Sequence, residues 1–159
     1  MHTPLDELVD FKYKIVSVLE DSQDIVSLLL DCQNIDMNDD RVNDIDDTNI
    51  FDHYYLDYTV QQTGCFIFVE AEMSKRVTGT IKDMTVRIYV LCSKDYMKLT
   101  KFKGMKGNRR DNVMRLVSDK LDGSKDFGIG RLTLESCSFV SVPNPYTAMV
   151  ASFSVSNYA

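Results

Sequence analysis

The residues able to do chemistry are few and widely spaced. The chain has two histidines, His2 and His53, so His53 is the one internal candidate for an imidazole base. No Ser or Cys stands at a recognisable nucleophile turn to accompany it, and a solvent-facing or interface histidine is the expectation. The four cysteines, Cys32, Cys65, Cys92 and Cys137, are separated by 33, 27 and 45 residues. A zinc site normally shows at least one close ligand pair, and none is present. Cys65, Cys92 and Cys137 fall in stretches that read as strands, where a thiol acts as a small buried hydrophobe. Reduced structural thiols in a reducing compartment are expected.

Carboxylates offer three further patterns. Asp36-Met37-Asn38-Asp39-Asp40 begins like a calcium loop, but Arg41 stands where the sharp turn requires glycine, and Asp47 replaces the bidentate glutamate. Glu70 and Glu72 alternate onto one face of a strand, where paired carboxylates can exchange protons or bind magnesium but at a sheet rim are usually solvated. Gly128-Ile129-Gly130 resembles a fragment of a dinucleotide fingerprint, yet it precedes a strand instead of opening a helix. The expectation is therefore no catalytic residue, no metal ligand and no cofactor. The chain is read as not an enzyme.

Charge is distributed unevenly. Residues 1–72 carry a net −14 and residues 73–159 a net +8, which together give the formal −6. Between Asp31 and Asp57 nine aspartates face only Arg41, while between Lys94 and Arg115 eight basic residues face Asp95 and Asp111. Such patches compensate within one molecule, meet between copies, or face different partners. Head-to-tail contact between copies suits a molecule acidic on one side and basic on another. A DNA-reading role for the basic segment is weaker, because the whole chain is acidic and no recognition-helix pattern or aromatic interleaving accompanies the lysines.

The elements that must position these groups give an α+β layout. Thr3 reads as an N-cap, Pro4 as the first helical residue, and Leu8, Phe11, Ile15 and Val18 or Leu19 as an apolar stripe. Ser22 is the expected cap of a second helix carrying Ile25, Val26, Leu28, Leu29 and Leu30. An Asp-rich exposed loop is expected at about 31–49, and a short strand or extended arm within Ile50–Tyr58. Cys65–Met73 and Thr80–Cys92 read as a hairpin turning through Lys75–Gly79. A basic loop at about 94–108 leads to a helix from Arg109 to Leu121, capped by Asn108 and stopped by Asp122-Gly123. Ile129–Phe139 and Thr147–Val155 complete the set through the Pro143-Asn144-Pro145 turn. The expected fold is a mainly antiparallel sheet of about four strands packed by helices on one face, with residues 1–159 forming a single domain.

A chain of 159 residues and 44% apolar content can build its core without metal or disulfide staples, so disordered and collagen-like classes are excluded. Apolar runs reach only about five residues where a membrane helix needs about 20. The acidic first ten residues lack a secretory pattern. A soluble, unexported protein without a membrane partner is expected.

In the order of its parts the chain resembles the tail-terminator and neck (head–tail joining) proteins of tailed bacteriophages. The resemblance is carried by the acidic helical start at Asp24-Ile25-Val26-Ser27-Leu28-Leu29 and by the strands Phe66–Glu70 and Thr85–Val90. It continues in Arg110-Asp111-Asn112-Val113, in Leu121-Asp122-Gly123-Ser124, and in Phe127–Leu134 leading to Pro145-Tyr146. It implies a structural protein of the virion tail or neck, made in the host cytoplasm, without catalysis. It implies a homohexameric ring that caps the tail tube and meets a head-side connector or stopper. Non-specific DNA contact in the ring lumen is a competing use of the basic loop. Candidate subunit-interface residues are Arg109 and Arg110 on the basic side, with Asp39 and Asp40 on the acidic side. A head-side connector or adaptor of the neck, or an unrelated small binding module, are the alternatives. The Asp-rich loop departs from the compact members.

Overall fold

Pro4 opens the first helix, α1 (Pro4–Glu20), and Phe11, Ile15 and Leu19 recur on one face and are buried. The computed structural model describes residues 4–55, 62–76, 81–127 and 130–158. The expected Thr3 cap, the tip of the first hairpin, the Gly128-Ile129 pair and the end of the Ile50–Tyr58 arm lie outside the described residues. Helix α2 (Gln23–Leu29) follows after a two-residue break. Ser22 stands at its N-cap position, but the hydroxyl donates back to the Val18 carbonyl at 2.7 Å and does not cap α2.

The Asp-rich stretch contains more structure than its composition suggests. It holds a one-turn helix, α3 (Asp40–Asn43), which Asp39 caps by accepting from the Arg41 amide. Ile35 and Ile45 anchor the stretch in the core at 1% and 3% exposure, with Met37 and Val42 half-buried against it and most of the polar residues between them facing water. Beyond it lies a two-residue strand, β1 (Ile50–Phe51).

Four longer strands, β2 (Cys65–Arg76), β3 (Ile81–Ser93), β4 (Thr133–Val140) and β5 (Tyr146–Tyr158), complete a five-stranded sheet in the order β1-β2-β3-β5-β4. The β2–β3 hairpin sets Cys65 opposite Cys92 and Glu70 opposite Arg87. Strand β5 lies between β3 and β4, antiparallel to both. Only β1 runs parallel to its neighbour. The sheet is therefore mixed, and its fifth strand, β1, is the short strand expected within Ile50–Tyr58, reduced to two residues.

Helices α1, α2 and α4 (Arg109–Leu121) contribute to the main core with one face of the sheet, including Ile67, Val69, Val86, Ile88, Val90, Phe153 and Val155. A smaller cluster of Phe66, Phe68, Leu91, Tyr146 and Ala148 occupies the other face, with Phe51 and Tyr89 against it. Burial on both faces is why the sequence from Cys65 to Val69 is continuously apolar before it begins to alternate. Among the described residues no helix is long and apolar enough to cross a membrane.

Candidate functional site: a charged hub and its surfaces

Helix α4 begins where the sequence places its start. The Asn108 side chain accepts from the Asp111 amide at 2.8 Å, and Asp111 stands in the first turn near the positive end of the helix dipole. The first helical residue, Arg109, has its amide on the Met97 carbonyl at 2.8 Å, which ties the helix to the loop before it. From that position the arginine turns inward. Its Nε donates to the Tyr96 carbonyl at 2.7 Å, Nη1 to the Leu28 carbonyl at 2.5 Å and Nη2 to Asp31 Oδ1 at 2.7 Å. The guanidinium lies 4.0 Å from the centre of the Tyr96 ring and 5.8 Å from that of Phe102.

The planar fork of arginine supplies several donors at once, and lysine has no equivalent geometry. One side chain therefore joins the end of α2, the start of α4 and the 3₁₀ turn Lys94–Tyr96. Asp31, the residue it grips, has φ 54°, a left-handed conformation unusual outside glycine. Burial alone pushes the Asp31 carboxyl upward. Hydrogen bonds and charge from Arg109, then from Lys101 at 3.3 Å, override this and hold it below its ordinary range. Tyr96 is pushed up to about 12 by burial, against the opposing charge of Arg109.

The expected pair of interface arginines is thereby divided. Arg109 is 1% exposed and fully engaged, so it is part of the interior and has no free surface to offer a neighbouring copy. A cation in sequence reads as surface, and its partners at Leu28 and Asp31 are remote along the chain, so local pattern does not reveal the hub. Arg110 lies mostly buried along the sheet, bonded to Thr147 Oγ1 at 2.5 Å and to Asp111 at 3.0 Å. Asp39 is held by the Arg41 side chain at 3.1 Å, which lowers its carboxyl, while Asp40 sits in the first turn of α3. The structure does not bring Asp39 or Asp40 to Arg110 within one molecule: among the described residues Asp39 pairs with Arg41, and Arg110 with Thr147 and Asp111.

Among the described residues the acidic half of the chain meets the basic half where Asp31 pairs with Arg109 and Lys101, where Asp24 lies 3.8 Å from Lys120, and where Glu72 pairs with Arg87. Among the described residues no ion pair joins Asp36–Asp47 to the lysines of the basic loop. Those lysines border a hollow of about 580 Å³ lined by Lys103, Lys106, Asp111, Asn112 and Arg115. Gly104 and Gly107, at φ 79° and 89°, turn the loop around it. Asn112 donates to the Lys106 and Asn108 carbonyls and accepts from Arg115, which fixes the floor.

Asp111 and Arg115 also line a second, apolar groove of about 240 Å³ between α4 and β4, walled by Met114, Leu134, Cys137, Met149 and Ala151. Cys137, expected as a buried strand thiol, is instead exposed because β4 is a sheet edge; partial desolvation and then Asp111 raise its thiol, so it is protonated at neutral pH. Cys65 lies opposite Cys92, and its thiol is pushed far up by burial and then by Cys92. The other sequence candidates are engaged in structure. Glu70 accepts from the Tyr54 amide at 2.7 Å, Glu72 pairs with Arg87, and exposed His53 pairs with Asp52 at 2.6 Å. Asp36 accepts from the Asn38 amide at 2.9 Å, closing a turn within the candidate calcium segment. Among the described residues no group of three or more His, Cys, Asp or Glu is arranged to hold a metal ion.

Fold and surface together define an α+β protein with an open mixed sheet, a buried arginine hub and charged, grooved surfaces around α4. The YomW family model matches residues 22–155, and the chain belongs to that family. This is a phage-associated, Bacillus SPbeta-like family, which suggests a phage protein. No curated protein matches the sequence.

Proposed function

We propose that this chain is a structural virion protein of the phage tail or neck. In this reading copies close head to tail into a homohexameric ring that caps the tail tube and joins it to a head-side connector. The observation that carries it is the unmatched charge in a phage-associated chain. Among the described residues the carboxylates of Asp36–Asp47 and the lysines around the α4 hollow are not paired with one another, so a neighbour can complete both. The order of elements that resembles tail-terminator proteins supports the finer assignment.

The test is native mass at low and high salt, with negative-stain images, in the presence and absence of purified tail tubes. A six-membered ring, alone or on the tube end, is expected. Its dissociation in high salt would implicate the charged surfaces. A monomer at both salt levels that does not bind tubes refutes the assignment. Binding to a portal-side ring instead of the tube would place the chain on the head side of the neck.

A further inference from the structure

Helix α1 carries a second apolar stripe that its own fold does not use. Leu5, Val9 and Tyr13 recur at four-residue spacing and are 63%, 66% and 72% exposed. Exposed Asp10 stands beside them. Isolated exposed hydrophobic residues need no explanation, but three large ones in a row on one rigid helix form a contact surface. The row from Leu5 to Tyr13 is about 12 Å long at 1.5 Å per residue.

A matching surface lies elsewhere on the same chain. The groove between α4 and β4 is floored by Met149 and Ala151 and walled by Met114, Leu134 and Cys137. Strand β4 is an edge of the sheet, and strand alternation puts Phe139, 68% exposed and opposite Met149, on the same face as Cys137. From Leu134 to Phe139 the edge offers about 17 Å of length, enough for the stripe. At its α4 side the groove runs into the basic hollow through Arg115, with Lys103 and Lys106 beyond. The trough has Asp111 and Arg115 at its α4 side with two lysines beyond, so cations outnumber the carboxylate there and complement an apolar helix row beside Asp10.

We propose that the Leu5-Val9-Tyr13 face of α1 in one copy seats in the α4–β4 groove of the next. This contact deepens the ring reading, on which it rests. It joins two different surfaces, so it is heterologous and propagates around a ring instead of ending at a dimer. The occupant is a second copy because the acidic half of the chain supplies the stripe and the basic half supplies the groove.

Cys137 lets the contact be tested directly. In a Cys32→Ser background, Val9→Cys is introduced and the protein is oxidised with copper–phenanthroline. A disulfide needs the two Cα atoms within about 4.4–6.8 Å, so bond formation reports seating of α1 beside β4. The expected result is a ladder of covalent multimers on a non-reducing gel that Cys137→Ser abolishes. Mixing the Val9→Cys, Cys137→Ser chain with a chain keeping Val9 and Cys137 should give covalent dimers only. The exposed triple change Leu5→Glu, Val9→Glu, Tyr13→Glu should keep the circular dichroism spectrum and weaken self-association by at least about tenfold.

Assembled rings without the ladder, or with a ladder insensitive to Cys137→Ser, overturn this contact while leaving the ring reading intact. Cross-linking between two Cys137 thiols in chains that keep Val9 also overturns it, because that product means β4 edges meet each other. A chain that stays monomeric at every concentration and on tail tubes overturns both.

Discussion

Replacing Arg109 with methionine should be the most destabilising single change on the charged side of this protein. Methionine keeps the length and apolar bulk of the side chain but none of its donors. It leaves the Leu28 and Tyr96 carbonyls without those donors, and Asp31 with only the exposed Lys101. Breaking a buried ion pair by removing one partner costs about 3–5 kcal/mol, and the lost ring contact at Tyr96 acts in the same direction. A shift of about 4 kcal/mol is a large share of the 5–15 kcal/mol typical of a domain. With a urea slope of about 2 kcal/mol/M, the unfolding midpoint should fall by about 2 M. Arg109→Lys should recover little, since an ammonium cannot place donors on two carbonyls and a carboxylate in one plane. Lys101→Ala, which removes the 65%-exposed partner of Asp31, should cost under about 1 kcal/mol and serves as the control. Adding Asp31→Asn completes a double-mutant cycle, with an expected coupling of about 2 kcal/mol. If Arg109→Met shifts stability by less than about 1 kcal/mol, the hub described above does not hold these segments together.

Two of the perturbed carboxyls, Glu20 and Asp31, should titrate stability in opposite directions. Glu20 has a buried, unpartnered Oε1 and is raised from 4.5 to about 7 by burial and then by Asp46. The folded state therefore holds its proton more tightly, and stability should rise as pH falls from about 8 to 4.5. Glu20→Gln should flatten that rise and, because solvent screens the site, stabilise by only about 1 kcal/mol at pH 8 in urea melts. Asp31 is depressed, so its contribution is present above its ordinary 3.8 and lost on acidification below it, and Asp31→Asn should reduce that acid sensitivity. Asn108→Ala removes the cap on the Asp111 amide and should cost about 1 kcal/mol, read by thermal unfolding. Phe153→Ala, fully buried on the inner strand β5, should cost about 3–5 kcal/mol in the same assay.

Elements whose signals are local were legible in the sequence. Helix α4 appears with its expected Asn108 cap, and the β2–β3 hairpin follows from alternation and β-branched residues. What escaped was set by distance. Nothing near Arg109 announces that Leu28 and Asp31 will receive it, and a lone isoleucine in an aspartate-rich run gives no sign that Ile35 and Ile45 are core anchors. The α4–β4 groove escaped for the same reason, because its walls come from three separate segments. The outer stripe of α1 could have been read from the spacing of Leu5, Val9 and Tyr13, but the stronger stripe through Phe11 and Ile15 masks it.

The placement of β5 between β3 and β4 has a consequence for how the protein is made. Strand β4 pairs only with β5, so the nascent chain cannot lay the sheet down hairpin by hairpin in order of synthesis. Until β5 emerges, β3 lacks its inner neighbour and β4 has no partner at all. Met149 and Ala151 of β5 also form the floor of the groove. In the proposed contact a partly synthesised chain thus carries the α1 stripe but no groove, and the last inner strand acts as a proof of completeness before one copy can receive another.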